Sequence, residues 1–511
     1  TLLGLTAGLL VANAERAKAE KRFQQMRHLA GQVLKLDELV SGLQGSTRAR
    51  HQIIRISKEY LEALRADARH DQTLALEIGN SYVHLAGAQG LPTHSNLGNS
   101  QEAEDSLRKA ESIVDQVIAS SPSNGKALLT SAEIAEGRMI LADSSSRDSQ
   151  AALAQGRKAA GRLDARLKLG AMTGDDKVAT ARILFNVALM HKNLDMLHDA
   201  VRYARTAASI VPSSPNGLLR TTEGLGLLAD SLRMIGDLEG ASQAMRQAWA
   251  AFHKLPEDGR HWLTRYLLHW REAVILGGGS GGLNLDRPGE ALASIGQAWQ
   301  LIDQAAARDA NDSRARILFA QTAREFGALL TPRDPARALA VFDTGIRRLG
   351  EVTKNPRARR GEAELLARSS YPLRRLNRPA EAQDRIRKAA AILTELGNYP
   401  PATVRPTGDD ATVLRASADH LAETGRTQEA ARLYQQLLDK ISASQTGPEK
   451  NLRYAGAVSS LYAALADSHH RSGHAAEARA WSARRLTLWQ HWSRQLPANP
   501  YIARQLAECE R

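Results

Sequence analysis

The chain has 511 residues and a formal net charge of +13; that length exceeds the roughly 250–300 residues at which one hydrophobic core stops growing, so the chain is multidomain or a solenoid. Hydrophobic residues make up 43% and aromatic residues 5%, with few alternating β-branched runs, which argues against a substantial sheet. The single cysteine, Cys509, excludes an intrachain disulfide framework and a cysteine-built metal site, and no nucleic acid is expected as a partner, because acidic residues are interleaved through most predicted helices and no zinc-finger, basic-zipper or RNP signature accompanies the arginines.

Residues 1–14 read TLLGLTAGLLVANA, without charge, and are followed abruptly by Glu15, Arg16, Lys18, Lys21 and Arg22. A membrane helix needs about 20 apolar residues, so this stretch fits the C-terminal part of one; a secretory signal with Ala12-Asn13-Ala14 as its small-x-small site is the competing reading, and a short buried helix is the third. Residues 15–70 are expected to form juxtamembrane helices. Phe23, Met26, Ala30 and Val33 make one helical stripe, and Ile53, Ile56, Tyr60, Leu61 and Leu64 another. Gly45-Ser46-Thr47 separates them, with Ser46 or Thr47 suited to cap the second.

From residue 71 to 511 a small-residue rhythm dominates. Ala103, Ala152, Ala200, Ala241, Ala291, Ala338, Ala382, Ala430 and Ala478 recur at steps of 41–50 residues, longer than the tetratricopeptide step of about 34. Small residues at such places let helix backbones approach to about 8–10 Å. Larger apolar residues precede each anchor at i, i+3/4, i+7, as in Leu184, Val187, Ala188 and His191 before Ala200, or Leu225, Leu228, Ala229 and Leu232 before Ala241. Gly236-Asp237, Gly425-Arg426 and Gly473-His474 suit turns between paired helices. The expected fold is all-α, a tetratricopeptide-like α-solenoid of stacked helical hairpins.

Solenoids of this kind bind partners along a concave groove. On the helix from about Thr180 to Asn193, Arg182, Asn186 and Asn193 fall on a stripe away from the apolar face. The next two first helices present Glu223, Asp230 and Arg233, then Arg265, His269 and Glu272. These nine are the candidate partner-binding residues, with Arg182 and Asn186 expected to hydrogen-bond an extended acidic or C-terminal segment of a protein or peptide ligand. A denser basic stretch, Arg347, Arg348, Lys354, Arg357, Arg359 and Arg360, followed by Arg374, Arg375 and Arg378, is expected to be a solvated surface. Gly278-Gly279-Ser280-Gly281-Gly282 satisfies G-x-S-x-G, but Val274-Ile275-Leu276 before it ends a helix, whereas a nucleophile elbow follows a strand; Ser280 is expected to be a loop residue without catalytic duty. His469, His470, His474 and His491 lack carboxylates at ligand spacing, so no metal is expected.

One stretch carries a more specific likeness. RFQQMRHLAGQVL from Arg22, LQGSTRAR from Leu43, EYLEAL from Glu59, the helix of Tyr82, Gln89-Gly90, Asn96-Leu97-Gly98 and SLRKA from Ser106 to Ala110 resemble, in order and spacing, the C-terminal region of bacterial transmembrane serine/threonine protein kinases with tetratricopeptide repeats. The resemblance implies a Hanks-type kinase domain ahead of Thr1, one crossing of the inner (cytoplasmic) membrane, and a repeat array outside the cytoplasm that binds a partner or self-associates to bring kinase domains together. The basic residues from Arg16 to Arg22 pull against that orientation under the positive-inside rule. Glycine-rich loop, VAIK-like lysine, HRD and DFG motifs are all missing, so the chain itself is expected to be non-catalytic and without cofactors, ATP and Mg²⁺ belonging only to the kinase domain. The alternatives are a secreted or periplasmic repeat scaffold unconnected to a kinase, and the effector domain of a transcriptional regulator.

Overall fold

The structure is a computed structural model that describes residues 47–65, 71–92, 96–146, 148–257, 259–278, 282–308, 313–352, 355–397, 399–444 and 447–510. Among these residues there are twenty α-helices and no strand. After α1 (Thr47–Leu64) come nine helical hairpins: α2 (Gln72–Gly90) with α3 (Ser100–Ser120), α4 (Gly125–Leu141) with α5 (Ser149–Lys168), and α6 (Gly174–Asn193) with α7 (Leu197–Ser209). Next are α8 (Pro215–Met234) with α9 (Leu238–Phe252), α10 (Trp262–Leu276) with α11 (Pro288–Arg308), and α12 (Ser313–Leu330) with α13 (Pro335–Gly350). The last three pair α14 (Pro356–Arg375) with α15 (Pro379–Leu396), α16 (Asp409–Glu423) with α17 (Thr427–Ala443), and α18 (Leu452–Arg471) with α19 (Ala475–Gln495), before a closing helix α20 (Pro500–Cys509). The chain is an all-α, tetratricopeptide-like array of stacked hairpins. It divides into two compact units, one ending at Pro212 and the other running from Ser213 to Arg511.

Each of the nine anchor alanines is the fourth residue of a second helix, α3 through α19. Its N–H makes the first intrahelical bond, to the carbonyl four residues back, as Ala241 does to Asp237 at 3.0 Å and Ala430 to Arg426 at 3.0 Å. Eight of the nine are completely buried and Ala478 is 8% exposed, as expected of small residues where paired helices approach to about 8–10 Å. In seven of the eight hairpins where that residue is described, the residue before the N-cap of the second helix is left-handed: Gly98, Asp195, Gly236, Asp286, Asn377, Gly425 and Gly473. Glycine, asparagine and aspartate are the residues that adopt this conformation at low cost.

The single crossing of the inner membrane, with the array outside the cytoplasm, is corrected: no helix among the described residues is long and apolar enough to cross a membrane. The helices carry polar or charged residues at helical spacing, so none offers the run of about 20 apolar residues that a crossing requires. Residues 1–14, on which the expectation was built, lie outside the described residues, as does the Phe23–Val33 stripe.

In the first unit, the motif residues of 59–110 interlock. The Tyr82 hydroxyl donates to Glu62 at 3.0 Å, and Lys109 forms an ion pair with the same carboxylate. Gln89 donates to Glu102 at 3.2 Å and accepts from Ser106 at 2.8 Å. The Gly98 amide donates to the side chain of Asn96 at 2.8 Å, and the Asn99 amide to the Gln89 carbonyl at 2.9 Å. A Cβ at Gly90 would stand 2.5 Å from the Asn99 backbone, so only glycine lets the turn fold back this closely. These residues fasten α1, α2 and α3 together.

Candidate functional site

In the second unit the first helices α8, α10, α12, α14, α16 and α18 all contribute to one cavity of about 420 Å³. Small residues open it: Ala411 on α16, and Gly456 and Ala457 on α18. Trp270 and Val274 of α10 and Leu437 and Ile441 of α17 give it an apolar side. Much of the remaining lining is charged, with Arg233, Arg324, Arg368, Arg415 and Arg453 beside Glu325, Glu364 and Asp419.

The charges are arranged as a ladder across consecutive first helices. Arg324 bonds Glu325 at 3.0 Å and lies 3.6 Å from Glu364, which accepts from Arg368 at 2.9 Å. Arg415 donates to Asp419 at 2.7 Å, and Tyr371 and Tyr434 each donate to that carboxylate at 2.6 Å. Arg415 also lies 5.0 Å above the Tyr434 ring, a cation–π contact. Burial works against ionised Glu364, yet Arg324 and Arg368 outweigh it and hold its pKa below the usual carboxylate range. Burial raises Asp409, at the start of α16, to about 6, with the Glu364 charge adding to the effect and Arg360 opposing it. Burial also raises Tyr371 and Tyr434, reinforced by Asp419, so both phenols stay protonated donors.

Of the nine residues singled out in the sequence, the cavity takes Arg233. Arg233 pairs with buried Asp230 at 2.9 Å and reaches the Leu283 carbonyl at 3.3 Å. Glu223 pairs with Arg220 on its own helix at 2.6 Å. Arg265 is exposed, while His269 packs on Trp249 with ring centroids 4.6 Å apart and Glu272 accepts from Trp249 at 3.1 Å and Ser294 at 2.8 Å. That face of α10 meets second helices, and the cavity face is one residue further on, at Trp270. Burial and the nearby Arg265 charge lower His269 to about 4.

In the first unit, Arg182 and Asn186 both donate to Glu136 at 2.5 Å, and Arg182 also to Glu133 at 3.2 Å; Asn193 is exposed at the end of α6. The basic stretch is largely matched by acids. Arg348 meets Asp303 at 3.1 Å, Arg359 meets Glu395 at 2.9 Å and Arg374 meets Glu423 at 2.7 Å. Lys354 and Ser280 lie outside the described residues. Among the described residues no group of three or more histidines, cysteines or carboxylates is arranged to hold a metal ion.

The ladder residues Arg324, Glu364, Arg368, Arg415 and Asp419 escape a reading based on apolar periodicity. A signal for them exists: Arg324 and Arg368 stand at the same place in their hairpins, 14 residues before Ala338 and Ala382.

No family model and no curated protein matches the chain. Among solved structures, the apo form of RapI is 12% identical over 91% of this chain and 99% of its own, with a TM-score of 0.44. Aspartyl phosphate phosphatase F from Bacillus subtilis is 12% identical over 90% and 94%, at 0.39. A signal transduction ATPase with numerous domains and a tetratricopeptide repeat sensor, from Pyrococcus horikoshii, is 9% identical over 90% and 74%, at 0.40. Scores of this size carry no function from those proteins to this one.

Proposed function

We propose that this chain is a non-catalytic protein-interaction scaffold that takes an extended segment of a partner protein into the cavity of its second unit, and that it serves as the interaction region of a bacterial Hanks-type serine/threonine kinase. The observation that carries the binding reading is that six successive first helices turn side chains into one cavity of about 420 Å³, within the roughly 300–1,000 Å³ typical of ligand pockets. A space of that size admits a short stretch of chain, not a folded domain. The kinase part rests on the motif resemblance between Arg22 and Ala110.

Peptides selected from a random library against the chain test the binding reading. Bound peptide should slow amide exchange in α12, α14 and α16. Ala457→Trp, which puts an indole into the cavity from a half-buried position, should abolish binding without unfolding the protein. Peptides indifferent to Ala457→Trp would place the interaction elsewhere. For the kinase part, an open reading frame that continues upstream into a Hanks-type kinase domain supports the assignment, and one without it removes the kinase and leaves the scaffold.

A further inference from the structure

The ladder is close to neutral when its charges are counted, but its two signs are not equally presented. The side chains of Arg324, Arg368 and Arg415 are 27%, 22% and 25% exposed, whereas those of Glu325, Glu364 and Asp419 are 3%, 14% and 14% exposed. The guanidiniums therefore lie over the carboxylates and meet the cavity first.

The hydrogen bonds are distributed with the same bias. Asp419 is nearly saturated: one oxygen accepts from Arg415 and Tyr434 and the other from Tyr371. Glu364 is held between Arg368 and Arg324. The arginines are not saturated, since a guanidinium has five N–H donors. Arg368 uses its Nε on Glu364, and Arg415 uses its Nε on Asp419 and one terminal nitrogen on Ser460 at 3.4 Å. The remaining terminal N–H groups are held in direction by the half-buried acids behind them. The ladder therefore offers the cavity more unused N–H donors than unused carboxylate oxygens, and Trp270 and Ile441 supply apolar wall beside them.

We infer that the cavity selects an acidic peptide segment, its Asp or Glu carboxylates lying across Arg368 and Arg415 with an apolar residue alongside against Trp270. This rests on the proposed peptide-binding role of the cavity and gives it a ligand class. A carboxylate matches the planar fork of arginine, and guanidiniums already held in place lose little freedom on binding. A basic peptide would meet the same forks with like charge.

The test is fluorescence anisotropy with three dye-labelled peptides of equal length and identical apolar residues, carrying Glu, Gln or Lys at the same positions. The Glu peptide should bind at least roughly tenfold more tightly than the Gln peptide, and added salt should weaken it. Arg368→Gln should weaken the Glu peptide by roughly ten- to a hundredfold and the Gln peptide by clearly less. Arg368→Lys keeps the charge without the fork and should fall between. Thermal melts would confirm that each variant is folded, and Arg324→Gln offers a second site if one is not. Equal binding of Glu and Gln peptides, lost in Ala457→Trp, would overturn the acidic selectivity while keeping the cavity as a peptide site. Failure of all three peptides where a library-selected peptide binds in the cavity would do the same. Binding untouched by Ala457→Trp would remove the cavity itself. Displacement of the Glu peptide by low concentrations of inorganic phosphate at constant ionic strength would make a phosphate group the ligand and overturn the carboxylate assignment.

Discussion

Asn499 donates its side-chain amide to the carbonyl of Gly236 at 2.7 Å, across 263 residues of sequence. The same side chain caps α20, its oxygen accepting from the amides of Tyr501 at 3.0 Å and Ile502 at 3.3 Å. Arg504 adds a bond to the Asn284 carbonyl at 2.7 Å, and Leu238, Leu283, Leu452, Trp489, Trp492, Tyr501 and Ile502 fill the joint. The end of the second unit is thus fastened to its beginning, which fixes the spacing of the first helices around the cavity.

Asn499→Ala removes a cap worth about 1 kcal/mol and a tertiary bond of similar size, so a loss of about 2 kcal/mol is expected in denaturant unfolding. Gly236 has φ +92°, and a Cβ there would come within 2.7 Å of Leu452. Gly236→Ala should therefore cost about 2 kcal/mol or more from left-handed strain and crowding together. A loss under about 0.5 kcal/mol for Asn499→Ala would mean that the apolar joint alone holds the closure.

Anchor alanines should differ in tolerance according to their burial. Ala338 is fully buried and Ala478 is 8% exposed at the last hairpin. Ala338→Leu should destabilise by about 1–3 kcal/mol through overpacking, and Ala478→Leu by less. Equal midpoints in urea for the two variants would contradict the view that each anchor is a point of closest approach.

The anchors and turn residues are legible in the sequence because each depends on neighbours in its own hairpin: a small residue one turn into the second helix, and a left-handed residue just before it. The cavity is not legible in that way. Which stripe of a first helix faces inward is set by the rotation from one hairpin to the next, and on α10 that shifts the inward position from His269 to Trp270. Arg182 and Asn186 look available on a helical wheel because their partners Glu133 and Glu136 lie on α4, a full hairpin earlier. The basic stretch likewise looks unopposed until Asp303, Glu395 and Glu423 arrive from other helices.

Tyr82 tests whether the motif residues of the first unit are structural. Its ring is completely buried and its hydroxyl bonds Glu62. Tyr82→Phe keeps the ring and loses the bond, with an expected cost of about 1 kcal/mol, whereas Tyr82→Ala should cost about 3–5 kcal/mol through the cavity it leaves. Guanidinium unfolding of the isolated variants distinguishes the two terms. Tyr82→Phe as stable as the parent would show that Lys109 alone satisfies Glu62.

Asp409 should give the second unit a titration near the cavity. Burial and the adjacent Glu364 raise its pKa to about 6, above the roughly 3.9 of an unfolded aspartate. The folded state therefore holds the proton more tightly than the unfolded state. The stabilising contribution of that proton is fully present below about pH 4 and is lost as the pH rises through 6, a swing of about 2–3 kcal/mol. Asp409→Asn cannot ionise, so it should match the parent near pH 4 and exceed it in stability at pH 8. The Arg360 and Arg324 charges oppose the rise without cancelling it. Urea unfolding of parent and variant at both pH values measures the difference directly, and a gap that does not grow between pH 4 and pH 8 would show that Asp409 ionises in the folded protein as readily as it does in water.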